Sequence, residues 1–138
     1  MGAGDGLGSA LMLWDSGLNH YKHSALGFRY AEFIVHDMSD IALMEFIKQM
    51  SDMSNISWGY TLGLKGGLKK MYDFVASMHN GEEIISDYAT SQDIFDDASQ
   101  NLLCADAVHL YMKLYTRLLR NVAYTVLPYG GLYITLTR

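Results

Sequence analysis

Cysteine is almost missing from this sequence: Cys104 is the single thiol in 138 residues. That excludes an internal disulfide framework and any zinc site built on several cysteines, and it fits a reducing compartment. Proline is just as scarce, with Pro128 alone, so no proline-rich linker divides the chain. Basic residues are outnumbered, 10 Lys and Arg against 15 Asp and Glu, for a formal charge of -5. An acidic chain without a basic stripe offers nothing to nucleic acid or to an anionic membrane surface. Long apolar runs are also lacking, since residues 10–14 and 122–127 fall far short of the roughly 18 to 20 residues a membrane-spanning helix needs. The first 14 residues have neither a basic start nor a cleavage-site pattern, so no signal peptide is expected. What is abundant is apolar residues, at 50% of the chain, ample for one packed core. These limits predict one globular domain over residues 1–138, in the cytoplasm or another reducing intracellular compartment.

The most distinctive stretch is the beginning, Met1-Gly2-Ala3-Gly4-Asp5-Gly6-Leu7-Gly8, which carries a glycine at every second position. Such a loop can adopt positive φ and lets backbone amides approach an anion closely, the physical basis of phosphate cradling. The dinucleotide-binding fingerprint needs a strand before the glycines and a helix after them, whereas a strand-like run follows here. The Walker-type loop needs a closing Gly-Lys-Ser/Thr, which is absent. A glycine turn between two strands remains, either purely structural or facing a nucleotide phosphate, with the second strand starting at Ser9.

Further along, residues 9–14 and 19–24 read as a hairpin turning at Asp15-Ser16-Gly17. Residues 28–35 read as a third extended run. The period then changes: Asp37 and Ser39 offer N-caps, and Ile41, Leu43, Met44, Phe46, Ile47 and Met50 form one face of a helix over 39–51. A second helix is expected over 67–78, with Leu68, Met71, Tyr72, Val75 and Met78 inward and Asn80-Gly81 as its stop. Thr90 and Asp93 form a capping-box variant that opens a short acidic helix to about residue 100. A long helix over 101–126 follows, with Leu103, Ala107, Leu110, Leu114, Leu118 and Val122 as its stripe. Pro128 ends it, Gly130-Gly131 turns the chain, and residues 132–135 read as a last strand. Strands, then helices, then a returning strand describe an α/β layer protein. The returning strand has no helix after it, so an incomplete domain is expected.

With these elements in place, a resemblance emerges. Gly4-Asp5-Gly6-Leu7-Gly8-Ser9-Ala10 resembles the second phosphate-binding motif, Gly-Thr-Gly-Leu-Gly-Val-Ala, of ATP-dependent glucokinases of the bacterial and protist type. Ile41-Ala42-Leu43-Met44-Glu45-Phe46-Ile47 resembles that family's helix after the sugar loop, and Gly67-Leu68-Lys69-Lys70-Met71-Tyr72 its Gly-Leu-x-x-Ile-Tyr segment. Leu127-Pro128-Tyr129-Gly130-Gly131-Leu132-Tyr133-Ile134 is similar to its helix end, glycine turn and strand. The four segments are colinear and span nearly the whole chain.

The resemblance implies a ribonuclease H-like fold of the actin-like ATPase and hexokinase group, with this chain as an internal piece of the larger domain. It implies the family reaction, ATP-dependent phosphorylation of glucose at the 6-position, with ATP and magnesium as cofactor and glucose as partner. Carried onto this sequence, Gly4, Asp5, Gly6 and Gly8 would face the ATP phosphates, and Lys65, Gly66, Gly67 and Leu68 the adenine. The sugar loop would be Ala25, Gly27 and Phe28 within Ala25-Leu26-Gly27-Phe28-Arg29-Tyr30.

The departures are equally concrete. The family's Asp-x-Gly-Gly-Thr loop and the Asn-Asp pair carrying its catalytic base find no match in the 138 residues. Asp5 stands where the motif has threonine, and a carboxylate accepts hydrogen bonds and repels phosphate where a hydroxyl would donate. The sugar loop's glutamate and histidine have no counterpart, and a further sugar-binding glutamate would fall near Gly59 or Tyr60. No catalytic residue is therefore assigned, and phosphoryl transfer by this chain alone is not expected. Two alternatives stand beside the glucokinase segment: a non-catalytic relative kept as a structural or interaction subunit, and a nucleotide-binding regulatory module without a sugar site. Because a partial domain leaves strand edges and apolar faces uncovered, association with another chain or with itself is expected.

Other polar residues have simpler readings. His20 and His23 lie three apart on a strand, on opposite faces, and do not chelate one metal. His36, His79 and His109 are isolated. Asp93, Asp96 and Asp97 complement a helix dipole more simply than they collect a cation. Lys65, Lys69 and Lys70 suit a solvated helix start. Cys104 has no neighbouring base and reads as buried packing.

Overall fold

The computed structural model describes residues 1–3, 6–51, 53–63, 66–80, 88 and 90–136. Gly4, Asp5, Leu64, Lys65 and Gly81, all named above, lie outside them. Eleven elements follow in order. The first four are strands: β1 (Gly2–Ala3), β2 (Leu7–Gly8), β3 (Ala10–Asp15) and β4 (His20–Ala25), followed by a 3-10 turn, Gly27–Tyr30. Then come α1 (Met38–Gln49), α2 (Trp58–Leu62), α3 (Gly67–Asn80), α4 (Ser91–Asp97), α5 (Leu102–Val126) and a closing β5 (Thr135–Leu136). The architecture is α/β, strands first and helices next, as expected.

The expected second strand at Ser9 is preceded by two strands of two residues each, β1 and β2, that sit inside the glycine run itself. β1 pairs antiparallel with β2, Gly2 opposite Gly8 and Ala3 opposite Leu7, and parallel with β5, giving the order β2-β1-β5. The returning strand is thus found at Thr135–Leu136, three residues later than its apolar run begins, because the Thr135 N–H donates to the Met1 carbonyl (2.9 Å). Alternation of side chains alone does not set that register. Ala3 and Leu7 anchor this small sheet in the core at 3% and 1% exposure. β3 and β4 form a separate two-stranded hairpin within one residue of expectation, its turn held by the Asp15 carboxylate accepting from the Gly17 and Leu18 N–H groups (2.9 and 3.1 Å).

The expected strand over 28–35 is not formed. Residues 27–30 make a 3-10 turn, and only an isolated bridge between Glu32 and Ser57 follows. Alternating hydrophobicity was satisfied in another way: Phe33 is buried edge-on against the Trp58 ring (4.9 Å), while its N–H donates to the Ile56 carbonyl (2.8 Å).

The helical layer closes on α5, which packs along α3 and against α4 and α2. Its buried stripe is Cys104, Ala107, Tyr111, Leu114, Tyr115, Leu118 and Val122. Leu103 and Leu110, expected in the stripe, are only half-buried, the true face being rotated toward Cys104 and Tyr111. The helix stops at Leu127, in the left-handed region at φ 44°, one residue before Pro128. The capping box of α4 forms as read, with Thr90 and Asp93 bonded reciprocally, but the helix ends at Asp97, not residue 100. In α1 the Asp37 side chain is the N-cap; Leu43 and Ile47 are buried, whereas Met50 is largely exposed. In α3 Phe74 and Ala76 take inward positions that had been given to Val75 and Met78.

One buried polar contact ties α1 to α5. Asp40, 1% exposed, accepts both oxygens' worth of hydrogen bonds from the Arg117 Nη1 (2.8 and 2.6 Å) and one from the His36 N–H (2.8 Å). A carboxylate in a helix's first turn reads in sequence as dipole complementation; here it is an interior ion pair whose partner lies 77 residues away.

Candidate functional site

The glycine loop opens on a cleft of about 530 Å³, lined by Met1, Gly2, Gly6, Leu7, Gly8, Ser9, Ala10, Arg29 and Thr135. Of the expected phosphate-facing residues, Gly6 and Gly8 are therefore in one wall, and Gly4 and Asp5 lie outside the described residues. The reason for glycine at these positions differs from the one the sequence suggests. Neither Gly6 nor Gly8 has positive φ; that conformation is found at Gly66 and Gly131. What the missing side chains provide is space. A Cβ on Gly6 would meet only the Arg29 Nη2 at 3.9 Å, and one on Gly8 only the Gly2 carbonyl at 3.8 Å.

Arg29 is the one charged side chain in the described lining. Its backbone is fixed from two sides. The Leu26 N–H donates to the Ser9 carbonyl (2.9 Å) and the Ser9 hydroxyl donates back to the Leu26 carbonyl (2.7 Å), clamping the end of the glycine loop to the entry of the 3-10 turn. On the other side the Trp58 N–H donates to the Ala31 carbonyl (2.9 Å), and α2 presses Gly59 against the turn. A Cβ on Gly59 would lie 2.7 Å from the Arg29 carbonyl oxygen, so only glycine admits this approach. The guanidinium rests over the Tyr30 ring, 5.0 Å from its centroid.

The remaining expected site residues are placed elsewhere. Ala25 ends β4, and Gly27 and Phe28 open the 3-10 turn; none of the three lines the cleft. Gly66 and Gly67 precede and open α3, Gly67 packed against the Thr61 and Leu62 backbone (3.0 Å to a Cβ), and Leu68 is buried in the core. Lys65 lies outside the described residues. Lys69 donates to the Tyr88 carbonyl (3.3 Å) and Lys70 to the Tyr60 carbonyl (3.0 Å), so both serve the fold. Burial holds the Lys70 ammonium pKa below its ordinary value, while the Tyr60 ring sits 4.1 Å from its Nζ.

The acidic trio of α4 is likewise spent singly: Asp93 on the cap, Asp96 accepting from Gln92 (2.8 Å), Asp97 accepting from the Tyr88 hydroxyl (3.0 Å). Among the described residues no three histidine, cysteine or carboxylate groups converge to hold a metal ion. Cys104 is fully buried, and no described helix is long and apolar enough to cross a membrane. Arg29 is the residue that sequence reasoning passed over. A signal existed, since it is the only lysine or arginine between Lys22 and Lys48, but nothing in the sequence places it beside residue 6.

A family model described as glucokinase matches residues 1–135. No curated protein matches in a sequence search. Among solved structures, the chain is similar to a glucokinase from an Antarctic psychrotroph, with a TM-score of 0.79 at 16% identity, over 99% of this chain and 41% of that one. It is also similar to Leishmania braziliensis glucokinase, with a TM-score of 0.76 at 17% identity, over 98% of this chain and 34% of that one. This chain therefore spans less than half the length of either structure. The superpositions establish a shared fold, and the match over residues 1–135 establishes kinship: the chain belongs to the glucokinase family.

Proposed function

We propose that the cleft is the phosphate-facing part of a glucokinase-type nucleotide site, with Gly6 and Gly8, and Gly4 and Asp5 from the same loop, presenting backbone to the phosphates of ATP. The observation that carries this reading is the pair of glycines whose absent side chains leave the cleft open beside a guanidinium. A phosphate needs close backbone approach and positive charge, and that wall offers both. Adenine would lie toward Lys65, Gly66, Gly67 and Leu68, and the parent architecture would be the ribonuclease H-like fold, of which residues 1–138 form part of the large domain. Magnesium would be carried by the nucleotide's own phosphates.

Transfer of a phosphoryl group to the glucose 6-hydroxyl requires a base positioned on that hydroxyl. The described lining supplies none. One observation favours a nucleotide-binding module without a sugar site over a sugar kinase. Of the two positions near which a family sugar-binding glutamate would fall, Gly59 has no room for a side chain beside the Arg29 carbonyl, and Tyr60 carries a phenol in place of a carboxylate. The test is calorimetric titration of the purified chain with magnesium-ATP and with glucose, each with and without the other. Binding of magnesium-ATP alone, independent of glucose, is expected; no heat from magnesium-ATP overturns the proposal, and glucose binding restores the sugar-kinase reading.

A further inference from the structure

We propose that Arg29 is the anion anchor of this cleft, so that the ligand group held between its guanidinium and the Gly6–Gly8 backbone is a phosphate rather than a neutral hydroxyl. The inference rests on the phosphate reading above and adds the residue that determines what the cleft accepts.

Three observations carry it. First, position: the Nη2 of Arg29 lies 3.9 Å from where a Gly6 Cβ would be, so the guanidinium faces the space that the glycine keeps open. Second, its donors are unspent. Arg117 is committed to Asp40 and Asp37, whereas Arg29 has no carboxylate partner among the described residues, in a chain with 15 carboxylate side chains against 10 lysines and arginines. Its guanidinium carbon lies 5.0 Å from the centre of the Tyr30 ring, a contact with the π face that uses none of its N–H donors. Third, the turn is built to hold it there: the reciprocal Ser9 and Leu26 bonds and the close approach at Gly59 fix the Arg29 backbone before any ligand arrives. A pre-positioned guanidinium matches a tetrahedral oxyanion bidentately.

There is a chemical consequence for the loop. A glutamate accepts hydrogen bonds from hydroxyls; a guanidinium only donates. A segment that resembles a hydroxyl-recognising loop, yet presents Arg29, therefore selects an acceptor-rich, negatively charged group. The phosphate could belong to a nucleotide's polyphosphate tail or to a sugar phosphate, and both have the same recognition chemistry.

The test uses the whole chain and three probes: magnesium-ATP, inorganic tripolyphosphate and glucose 6-phosphate, titrated by calorimetry at low ionic strength. Arg29→Gln, Arg29→Lys and Gly6→Val are compared with the parent, each checked for an unchanged circular dichroism spectrum. Arg29 is exposed, so its replacement leaves the fold intact. Loss of a charged hydrogen-bond pair predicts a weakening of about 10-fold to 100-fold for any probe that binds in Arg29→Gln, with partial recovery in Arg29→Lys. Gly6→Val, which fills the opposite wall, weakens the same probes. If magnesium-ATP binds the parent and Arg29→Gln equally but not Gly6→Val, the anchor is refuted and the nucleotide site stands. If only glucose 6-phosphate binds, and does so through Arg29, the anchor stands and the nucleotide reading falls. If no probe binds the parent protein, both fall together.

Discussion

At the scale of single residues, two neighbouring tyrosines of α5 behave oppositely. The Tyr111 hydroxyl donates to the Leu62 carbonyl (2.8 Å), joining α5 to the end of α2, while the Tyr115 hydroxyl is buried with no hydrogen-bond partner among the described residues. Burial first, and the adjacent Tyr115 second, push the Tyr111 pKa up to about 12. The unfolded value is near 10, so the native state favours the protonated phenol. That contribution is complete below pH ~10 and is lost as pH rises from there through about 12. Urea unfolding of Tyr111→Phe should show a loss of about 1–3 kcal/mol at neutral pH, because the Leu62 carbonyl loses its donor. The penalty should shrink across that alkaline window. Tyr115→Phe should be neutral or stabilising, since it removes a buried hydroxyl that has no hydrogen-bond partner among the described residues. A larger loss in Tyr115→Phe than in Tyr111→Phe would refute the assignment.

At the scale of elements, the cleft depends on a helix of five residues. α2 is capped by the Ser57 side chain, which accepts from the Tyr60 N–H (3.2 Å), and is sunk into the core by Trp58 and Leu62. Its Gly59 is the contact surface for the Arg29 turn. Gly59→Ala therefore sets a methyl group 2.7 Å from a backbone oxygen, and either the turn or the helix must move. The expected cost is about 1–3 kcal/mol, together with weaker anion binding, as Arg29 shifts from Gly6. Unchanged stability and binding in this variant would show that the turn is not held by α2.

The same element shows what could be read from the sequence. The helices α1, α3, α4 and α5 were legible because their apolar periods and caps are local, the Thr90-Asp93 box above all. α2 was not, since five residues are too few for a period, although Ser57 is a legitimate cap signal. Residues 28–35 alternate apolar and polar residues only loosely, and that pattern records which side chains are buried; among the described residues the isolated Glu32–Ser57 bridge is all the strand-like pairing they make. The glycine loop was recognised and its partner Arg29 was not, because the contact joins segments more than 20 residues apart through a 3-10 turn.

At the scale of the whole molecule, the hairpin of β3 and β4 sits apart from the core. Among the described residues the two strands pair only with each other, and every residue of β4 is exposed. A two-stranded ribbon in water is marginal on its own, yet this one bears Met12, Leu13, Trp14 and Tyr21 at 53–61% exposure. Its internal supports are modest: an edge-on Trp14–Tyr21 pair at 5.0 Å and an exposed Lys22–Asp15 ion pair, each contributing on the order of 1 kcal/mol or less. Apolar side chains grouped on a ribbon with two unpaired edges are the usual mark of a surface that another chain covers. Sedimentation velocity should therefore show the 15.5 kDa chain associating as its concentration rises. Replacing Trp14 and Tyr21 together by serine removes the ring pair and much of the apolar surface while leaving the buried core untouched. That variant should sediment as a monomer, with the cleft's anion binding retained, because no hairpin residue beyond Ala10 lines it. A parent chain that stays monomeric to millimolar concentration and unfolds cooperatively would show that the ribbon is stable uncovered.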